Sequence, residues 1–520
     1  MLRVVRTENG LVRGIPAADP RVTAFKGIPF AKPPVGDLRW KAPQPAENWE
    51  GERECFAFAP INMQTPPGLD PTNIYAREWN VDPTIEMSED SLYLNVWTNT
   101  RTGDEKMPVM VWFFGGGYTA GNTAEMEFDG ERIARRGVIL VSVQYRLGVF
   151  GFLAHRELME ESPGEPVGNY GLLDQRAGVQ WVIRNIEAFG GDPKNITIFG
   201  QSAGAGSTLC QVGSPMNEGL FQRAIFESGG GLRTYGQGGG CIPLEKALSN
   251  GEDFFSTYGI KDLAEARAMD AEKLNEIGME YVRKNRFEPV IDGVFLPEDP
   301  SDTMARGNYP DISYLFGCTG SEGDIPAPGY APPRSLKELR EYGMFRYGDK
   351  YIEEYLALCG CRDDAEVDML SHTDDSFRGR FMNNYLFLEQ RIRAGKKNNW
   401  MYVFDASMPG WDRPGSFHSS ELWFVFETLA KCWRPFKGKH YDLARIVCNY
   451  WTNFARTGDP NGLDADGTPM PEWKSATAED HYVHYLNEDR IGAYGKSNSE
   501  LVRFRTRVTF EQLKEKGIIE

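Results

Sequence analysis

A serine flanked by glycines stands between an apolar run and a segment of small residues. The run Ile196–Phe199 precedes the motif Gly-Gln-Ser-Ala-Gly at 200–204, and helix-compatible residues follow it. A strand that turns directly into a helix strains the backbone of the central residue and leaves no room for Cβ atoms two positions away on either side. The serine hydroxyl then projects at the helix N-terminus, where backbone N–H groups favour negative charge. This context predicts that Ser202 is a nucleophile.

A glycine-rich loop can supply the second part of this chemistry. Gly115, Gly116 and Gly117 come directly after the apolar run at 109–114. Three successive glycines stabilise neither a helix nor a strand, so what they provide is backbone freedom. Such a loop at the carboxyl end of a strand can direct N–H groups at an oxygen atom. Together with the N–H of Ala203, it would complete an oxyanion hole.

A serine hydroxyl also needs an imidazole to accept its proton and a carboxylate to orient that imidazole. In folds with this kind of serine turn, the acid and then the histidine follow the serine along the chain, which excludes His155. Glu322 follows the apolar run Ile312–Phe316 and is the first candidate acid, but Asp324 is close enough to compete. His418 lies in a predicted loop after a later strand and is the first candidate base. The order of the chain leaves these histidines in competition: His372, His418, His440, His481 and His484.

Strands and helices alternate through the first half of the chain, and this alternation must position the candidate residues. Asn9-Gly10 predicts a tight hairpin near the N-terminus, and apolar positions from 172 to 186 recur at helical spacing. The predicted strands lie at 92–97, 109–114, 138–143, 196–199, 223–226, 312–316 and 401–404. Buried strands alternating with helices indicate an α/β fold with a mostly parallel sheet and helices on both faces. The looser segments around 233–310 and 325–417 are predicted to be insertions that cover the substrate.

Composition and charge exclude several classes of protein. The 520 residues are 41% hydrophobic and 25% charged, which is typical of a folded chain. A net charge of −17 argues against nucleic acid and anionic membranes as partners. The apolar runs have the length of strands and fall well short of the ~20 residues that span a bilayer. We therefore expect neither a nucleic-acid partner nor a membrane segment.

The cysteines indicate a reducing environment. None of them forms a C-x-x-C pair, and the closest two are Cys359 and Cys361. This usage favours free thiols over a disulfide framework or a metal site. The first residues also lack the pattern of a secretory leader. The sequence predicts a cytoplasmic protein without a metal ion or an organic cofactor.

Five longer motifs follow one another along the chain: FKGIPFAKPPVGDLRW at 25–40, SEDSLYLNVW at 88–97, NYGLLDQ at 169–175, FGGDP at 189–193 and YWTNFARTGDPN at 450–461. With these motifs in this order, the chain resembles the type-B carboxylesterases, the cholinesterase-like branch of the α/β-hydrolases. Since the resemblance covers nearly the whole chain, it implies a single α/β-hydrolase domain over 1–520.

The resemblance also implies roles for individual residues. It assigns Ser202 as the nucleophile, Glu322 as the acid and His418 as the base of a catalytic triad. It further implies that three backbone N–H groups form the oxyanion hole: those of Gly116, Gly117 and Ala203. Ser228 matches a position where the family often carries a supporting serine.

Departures from the family pattern concern the surroundings of the triad. Ser91 stands where the family often has a disulfide-forming cysteine, and Gln201 stands where a glutamate commonly precedes the nucleophile. Trp79 lies near the region where cholinesterases place a choline-stacking tryptophan, but at a longer spacing, so a choline-ester specialist is not expected. The candidate substrate-binding residues are Trp79, Tyr118 and Gln201. Further candidate aromatic wall residues are Tyr330, Phe345, Tyr347 and Trp411.

These observations predict a serine carboxylesterase that hydrolyses small uncharged esters through an acyl-enzyme intermediate. A lipase or a feruloyl-type esterase is the alternative among enzymes. A non-catalytic binding or adhesion module on the same scaffold is the alternative from another class. The presence of all three triad residues argues against that module, because loss of one of them would be its signature.

Overall fold

The computed structural model describes residues 1–65, 74–79, 82, 84–232, 240–322, 332–464, 466–495 and 498–520. The strands in these ranges are β1 Val4–Arg6, β2 Leu11–Arg13, β3 Ile15–Pro16, β4 Thr23–Pro29, β5 Glu52–Glu54, β6 Tyr93–Thr98, β7 Met107–Phe113, β8 Ile139–Val143, β9 Gly191–Gln201, β10 Arg223–Glu227, β11 Ile242–Pro243, β12 Val290–Ile291, β13 Ser313–Thr319, β14 Asn399–Phe404, β15 His484–Asn487 and β16 Arg490–Ala493.

The α-helices in the same ranges are α1 Ile74–Trp79, α2 Glu131–Arg135, α3 Gly148–Phe152, α4 Arg156–Glu161, α5 Tyr170–Asn185, α6 Ala203–Gly213, α7 Leu244–Tyr258, α8 Leu263–Ala268, α9 Ala271–Tyr281, α10 Pro300–Arg306, α11 Leu336–Tyr347, α12 Ile352–Cys359, α13 Asp364–Thr373, α14 Gly379–Arg393, α15 Leu422–Val425, α16 Gly438–Thr457 and α17 Glu500–Glu515. Most of the strands belong to one large sheet, and helices cover that sheet.

The large sheet has eleven strands in the order β16-β15-β14-β13-β10-β9-β7-β8-β6-β4-β3. Every neighbouring pair from β15 to β8 is parallel. The remaining pairs, at the two ends of the sheet, are antiparallel. Parallel strands of this kind are covered on both faces, which explains their continuous apolar runs. The prediction of a mostly parallel α/β sheet is confirmed.

The apolar runs of the sequence become the centre of this sheet. In β7 and β9 the registered pair Val111 and Ile198 are fully buried, with helices on either side. The predicted strands lie where the sequence placed them, with ends shifted by a few residues. The hairpin at Asn9-Gly10 is also present, as the antiparallel pair β1 and β2. Burial of these side chains is the main source of stability in such a core.

The three candidate residues each follow a parallel strand and therefore lie at one edge of the sheet. Ser202 follows β9, Glu322 follows β13, and His418 follows β14 in the chain. Because β9, β10, β13 and β14 are neighbours and parallel, their carboxyl ends lie side by side. This edge is where α/β folds place their ligand sites.

The described parts of the two predicted insertions are largely helical and form separate side cores. Residues from α7 and α9, such as Phe254 and Leu274, pack in one cluster with Val149 of α3. Residues from α11 and α12, such as Tyr347 and Tyr355, pack in another cluster with Phe504 of α17. The helices of both segments therefore have apolar partners of their own.

No disulfide joins the eight cysteines, all of which lie in the described ranges, and the Sγ atoms of Cys210 and Cys241 lie 3.6 Å apart. No helix in the described part of the chain combines the length and the apolar composition that spanning a membrane requires.

Candidate active site

The turn at Ser202 is shaped by contacts that only glycine permits. Ser202 has φ 56° and ψ −121° and connects β9 directly to α6. A Cβ on Gly204 would lie 2.0 Å from the carbonyl oxygen of Phe113, and one on Gly200 would lie 2.4 Å from the backbone of Gly204. The N–H of Ser202 donates to the carbonyl oxygen of Glu227 at 2.8 Å. The backbone therefore fixes the serine without help from other side chains.

Three side chains form a continuous hydrogen-bonded row at this turn. The Oγ of Ser202 lies 2.9 Å from Nε2 of His418, and Nδ1 of the same ring lies 2.6 Å from Oε2 of Glu322. An ionised carboxylate only accepts hydrogen bonds, so Nδ1 carries a proton and Nε2 is free to accept the serine proton. The structure thus brings together the three residues that the sequence singled out. This geometry suits activation of a serine hydroxyl.

Short connections between two loops hold the base and the acid in place. The N–H of Ser321 donates to the carbonyl oxygen of Ser416 at 3.1 Å, which ties the acid loop to the base loop. The N–H of Thr319 donates to Oε1 of Glu322 at 3.0 Å. Asp324, the competing acid of the sequence analysis, lies outside the described residues.

Arg380 is the charged neighbour of the triad acid. Its Nη1 donates to Oε2 of Glu322 at 2.6 Å. Burial by itself would raise the pKa of Glu322, but the Arg380 guanidinium and the His418 ring together hold that pKa well below its usual range. Burial, assisted by the charge of Arg380, lowers the pKa of His418, although Glu322 opposes this effect. At neutral pH the pair is therefore a carboxylate beside a neutral imidazole.

The glycine loop faces the serine across a cavity. Gly116 and Gly117 have φ 116° and φ 64°, a backbone conformation that glycine adopts freely. Both line the cavity together with Ser202. Within the described chain, no acceptor is found for the backbone N–H groups of Gly116, Gly117 and Ala203. These groups are available to a ligand oxygen, as an oxyanion hole requires.

The cavity has a volume of about 540 Å³, which suits a small organic molecule. Beside the serine turn, its walls come from residues within 64–65, 75–79, 115–128 and 418–422. Apart from Arg380, the described residues of the segments 233–310 and 325–417 contribute nothing to these walls. That these two segments cover the substrate stays a prediction.

Two of the three candidate substrate-binding residues line the cavity. Trp79 stacks on Tyr75 with ring centroids 6.5 Å apart. Gln201 places its amide nitrogen 3.4 Å and 3.5 Å from the two ring nitrogens of His418, so the amide packs against the imidazole. Both residues can therefore influence what binds next to the triad.

The third candidate, Tyr118, is not among the residues that line this cavity. Its backbone has φ 62°, and its ring packs edge-on against Phe152 at 5.1 Å. A Cβ on Gly206 would lie 2.6 Å from the Tyr118 hydroxyl, so the phenol end lies against α6. The positive φ directs this side chain into the side core around α3 instead of the cavity.

Three further aromatic candidates, all in the described part of the chain, do not line the cavity either. Phe345 and Trp411 are 69% and 76% exposed, and Tyr347 is buried in the side core beside α17. Tyr330 lies outside the described residues. Ser228 donates to Oε1 of Glu421 at 3.0 Å, behind the triad acid.

Sequence reasoning missed three charged residues of the cavity wall. Arg380 lies in a helix of the second insertion, where no local motif marks it. Glu125 and Glu127 follow the glycine loop at a spacing that could have drawn attention to them. Burial raises the pKa of both carboxyl groups, and their mutual proximity raises that of Glu127 further. This part of the wall therefore carries less negative charge than the sequence suggests.

The sheet and the serine turn define an α/β-hydrolase. The comparison with protein families identifies the family within this class. The chain belongs to the carboxylesterase family, whose model matches residues 2–504. The prediction of that family, and of a carboxylic ester hydrolase, is confirmed.

The similarity to known proteins extends over most of the chain. It is 34% identical over 475 residues to the fumonisin B1 esterase of Sphingopyxis macrogoltabida, covering 88% of this chain and 82% of that protein. It is 33% identical over 498 residues to the para-nitrobenzyl esterase of Bacillus subtilis strain 168, covering 92% and 94% of the two chains. It is also 31% identical over 552 residues to the acetylcholinesterase of Bungarus fasciatus, covering 96% and 85%. A solved PNB esterase structure superposes with a TM-score of 0.79 at 30% identity, covering 97% and 99% of the two chains.

Proposed function

We propose that the protein hydrolyses small uncharged carboxylic esters through a Ser202–His418–Glu322 triad and an acyl-enzyme intermediate. The observation that carries this proposal is the row of contacts at 2.9 Å and 2.6 Å that joins the three side chains at the wall of a cavity. Glu322 is held ionised and His418 is held neutral, which is the state that a general base requires.

The reaction follows from the positions of the reacting groups. Nε2 of His418 accepts the proton of Ser202 while Oγ attacks the ester carbonyl carbon. The N–H groups of Gly116, Gly117 and Ala203 stabilise the oxyanion that forms. The leaving alcohol takes the proton from the imidazole, and water then repeats the sequence on the acyl-enzyme. Each N–H donor of the oxyanion hole raises the reaction rate by roughly 10²–10³-fold, by analogy with a measured case.

The wall of the cavity supports an uncharged substrate. Tyr75, Trp79, Phe128 and Leu422 supply apolar surface. The positive charge of Arg380 is paired with Glu322, and burial, which raises the pKa of Glu125 and of Glu127, favours the uncharged forms of these two carboxyl groups. An ester with an apolar acyl or alcohol group therefore fits this surface without burying an unpaired charge.

A panel of p-nitrophenyl esters of increasing acyl length, set beside hydroxycinnamate esters, tests this function. We expect turnover of short-chain p-nitrophenyl esters with an initial burst of one p-nitrophenol per chain, because p-nitrophenol leaves in a fast acylation step and the slower deacylation step limits turnover. A preference for long chains would favour a lipase, and a preference for hydroxycinnamates would favour a feruloyl-type esterase. Inactivity toward every ester would support a binding module instead.

We also propose a cytoplasmic location, supported by a sequence in which cysteines are few and no two form a C-x-x-C pair. Fractionation of cells of the source organism tests it. Recovery of the protein outside the cytoplasmic fraction would contradict the proposal.

A further inference from the structure

The loop that carries the triad acid is held by the start of a helix far away in the chain. We define the acid loop as residues 319–322 and note that α14 begins at Gly379. Arg380 Nη1 and His418 Nδ1 both contact the same oxygen, Oε2 of Glu322, each at 2.6 Å. The two donor nitrogens are therefore no more than about 5.2 Å apart. One carboxylate oxygen thus serves the base and an arginine together.

A second arginine from the same helix start holds the backbone of the acid loop. Nη2 of Arg378 donates to the carbonyl oxygen of Thr319 at 3.1 Å and also to that of Gly320. Arg378 is itself fixed by Oδ1 of Asp375, 2.6 Å from its Nη1. Arg378 therefore holds the backbone of the acid loop, and Arg380 holds the carboxylate of Glu322.

We propose that Arg380 is a positioning residue of the triad, whose guanidinium anchors the Glu322 carboxylate so that the His418 ring stays directed at Ser202. This inference rests on the proposed esterase function. Besides the imidazole, the carboxylate has the N–H of Thr319 on its other oxygen at 3.0 Å. Removal of the guanidinium would leave the carboxylate with uncharged partners: the His418 imidazole, the Thr319 N–H and the Ser228 hydroxyl. The carboxylate could then rotate toward the cavity, and the ring would lose its fixed direction.

The charge of Arg380 acts on the same pair. The other titratable groups that feel the Glu322 charge are Tyr75, Cys318, Tyr402 and Glu421. Burial raises the pKa of each of these four described groups and so favours their uncharged forms. Arg380 is therefore the permanent charge that favours the carboxylate and disfavours the imidazolium. It extends the pH range in which His418 can accept a proton to lower pH.

The charge and the geometry of Arg380 can be separated by two substitutions. Arg380→Gln removes the charge, whereas Arg380→Lys keeps it but loses the planar fork of the guanidinium. For Arg380→Gln we expect the acid limb of kcat/KM to move up by about one pH unit, which is the size of effect that a nearby charge exerts. We also expect kcat at the plateau to fall by about tenfold, with KM changed little. Arg380→Lys should restore the acid limb while recovering the plateau only in part.

Arg393→Gln is the matched control, because Arg393 ends the same helix and pairs with Glu389 on the surface. It should leave both the pH profile and kcat unchanged. A pH profile and a plateau that Arg380→Gln leaves as in the wild type would overturn the inference, provided that the wild type hydrolyses the ester. An inactive wild type would contradict the proposed function instead. If Arg380→Gln does not fold, the pH profile and the plateau kcat of Arg380→Lys test the inference instead. A plateau kcat equal to that of the wild type would contradict positioning by the guanidinium.

Discussion

The nucleophile and the acid of the triad are held in different ways. Ser202 is fixed by its own backbone, because Gly200 and Gly204 approach neighbouring chain so closely that no Cβ fits. Glu322 is fixed by side chains from distant positions, with Arg380 in contact across 58 residues of sequence. The first arrangement is marked in the sequence by five consecutive residues, whereas the second has no local sequence motif.

This difference has consequences for tolerance to mutation. A position that is held by the backbone admits almost no change in the residues around it. A position that is held by side chains admits graded change, because each partner contributes a part of the support. Substitutions around Ser202, the serine side of the triad, should therefore cause loss of the fold. Substitutions around Glu322, the acid side, should lower the reaction rate only in part.

The largest effect is expected from removal of the nucleophile itself. Ser202→Ala should lower kcat for p-nitrophenyl butyrate by at least about 10⁴-fold, because no other group can form the acyl-enzyme. The unfolding midpoint in urea should stay close to that of the wild type. Ser207→Ala, on the same helix but with its hydroxyl bonded to Gln175 at 2.9 Å, is the control that should keep the activity. Equal activity of both variants would contradict the assignment of Ser202.

Next in size is the loss of the acid. Glu322→Gln should lower kcat by about 10⁴-fold, since an amide donor beside Nδ1 favours the wrong tautomer of the ring. Steady-state kinetics at the pH plateau, with folding checked by circular dichroism, measure this effect. A loss of less than tenfold would show that another carboxylate, such as Asp324, orients the base.

Two glycine substitutions, one on each side of the triad, test this difference by their effect on the free energy of unfolding. In Gly204→Ala the new Cβ would lie 2.0 Å from a backbone oxygen, and the free energy of unfolding should fall by more than about 3 kcal/mol. In Gly320→Ala, on the acid loop, the closest atom at 2.1 Å is Oδ1 of Asp405, the end of a side chain that can move. There we expect a loss of about 1–2 kcal/mol.

Urea unfolding of both variants measures the difference between them. Gly438→Ala, whose Cβ would meet nothing within 4 Å, is the control and should be neutral or slightly stabilising. Equal losses for Gly204→Ala and Gly320→Ala would remove the distinction between the two sides.

The smallest effects concern pH. His418 acts as a neutral base, so kcat/KM should fall as the pH drops through its pKa in the free enzyme. Because burial and Arg380 lower this pKa from 6.5, the midpoint of the acid limb should lie below pH 6.5. Gln201→Glu would add a carboxylate close to the ring and should move the midpoint to higher pH. A midpoint above pH 7 in the wild type would contradict the assigned surroundings of His418.

The sequence predicted what is encoded locally. The strands, the serine turn and the glycine loop depend on neighbouring residues, and their positions agree with the structure. Glu322 and His418 needed the family resemblance to separate them from Asp324 and from the other histidines, because position along the chain left those choices open. The geometry then brought both residues to Ser202.

The walls of the cavity could not be predicted, because they depend on how distant segments pack. Tyr118 follows the glycine loop, yet its positive φ turns the ring into the side core around α3. Arg380 has no local signature, and its importance comes from a loop that lies 58 positions earlier. The insertions were expected to cover the substrate, but their helices mainly pack in side cores.

The most direct measurement is to locate the covalent adduct that a fluorophosphonate probe forms with the wild-type enzyme. Intact mass and peptide mapping should show one adduct per chain, attached to Ser202, and Glu322→Gln should form the same adduct much more slowly. An adduct on a different residue, or continued ester hydrolysis by a chain that carries no adduct, would contradict the account.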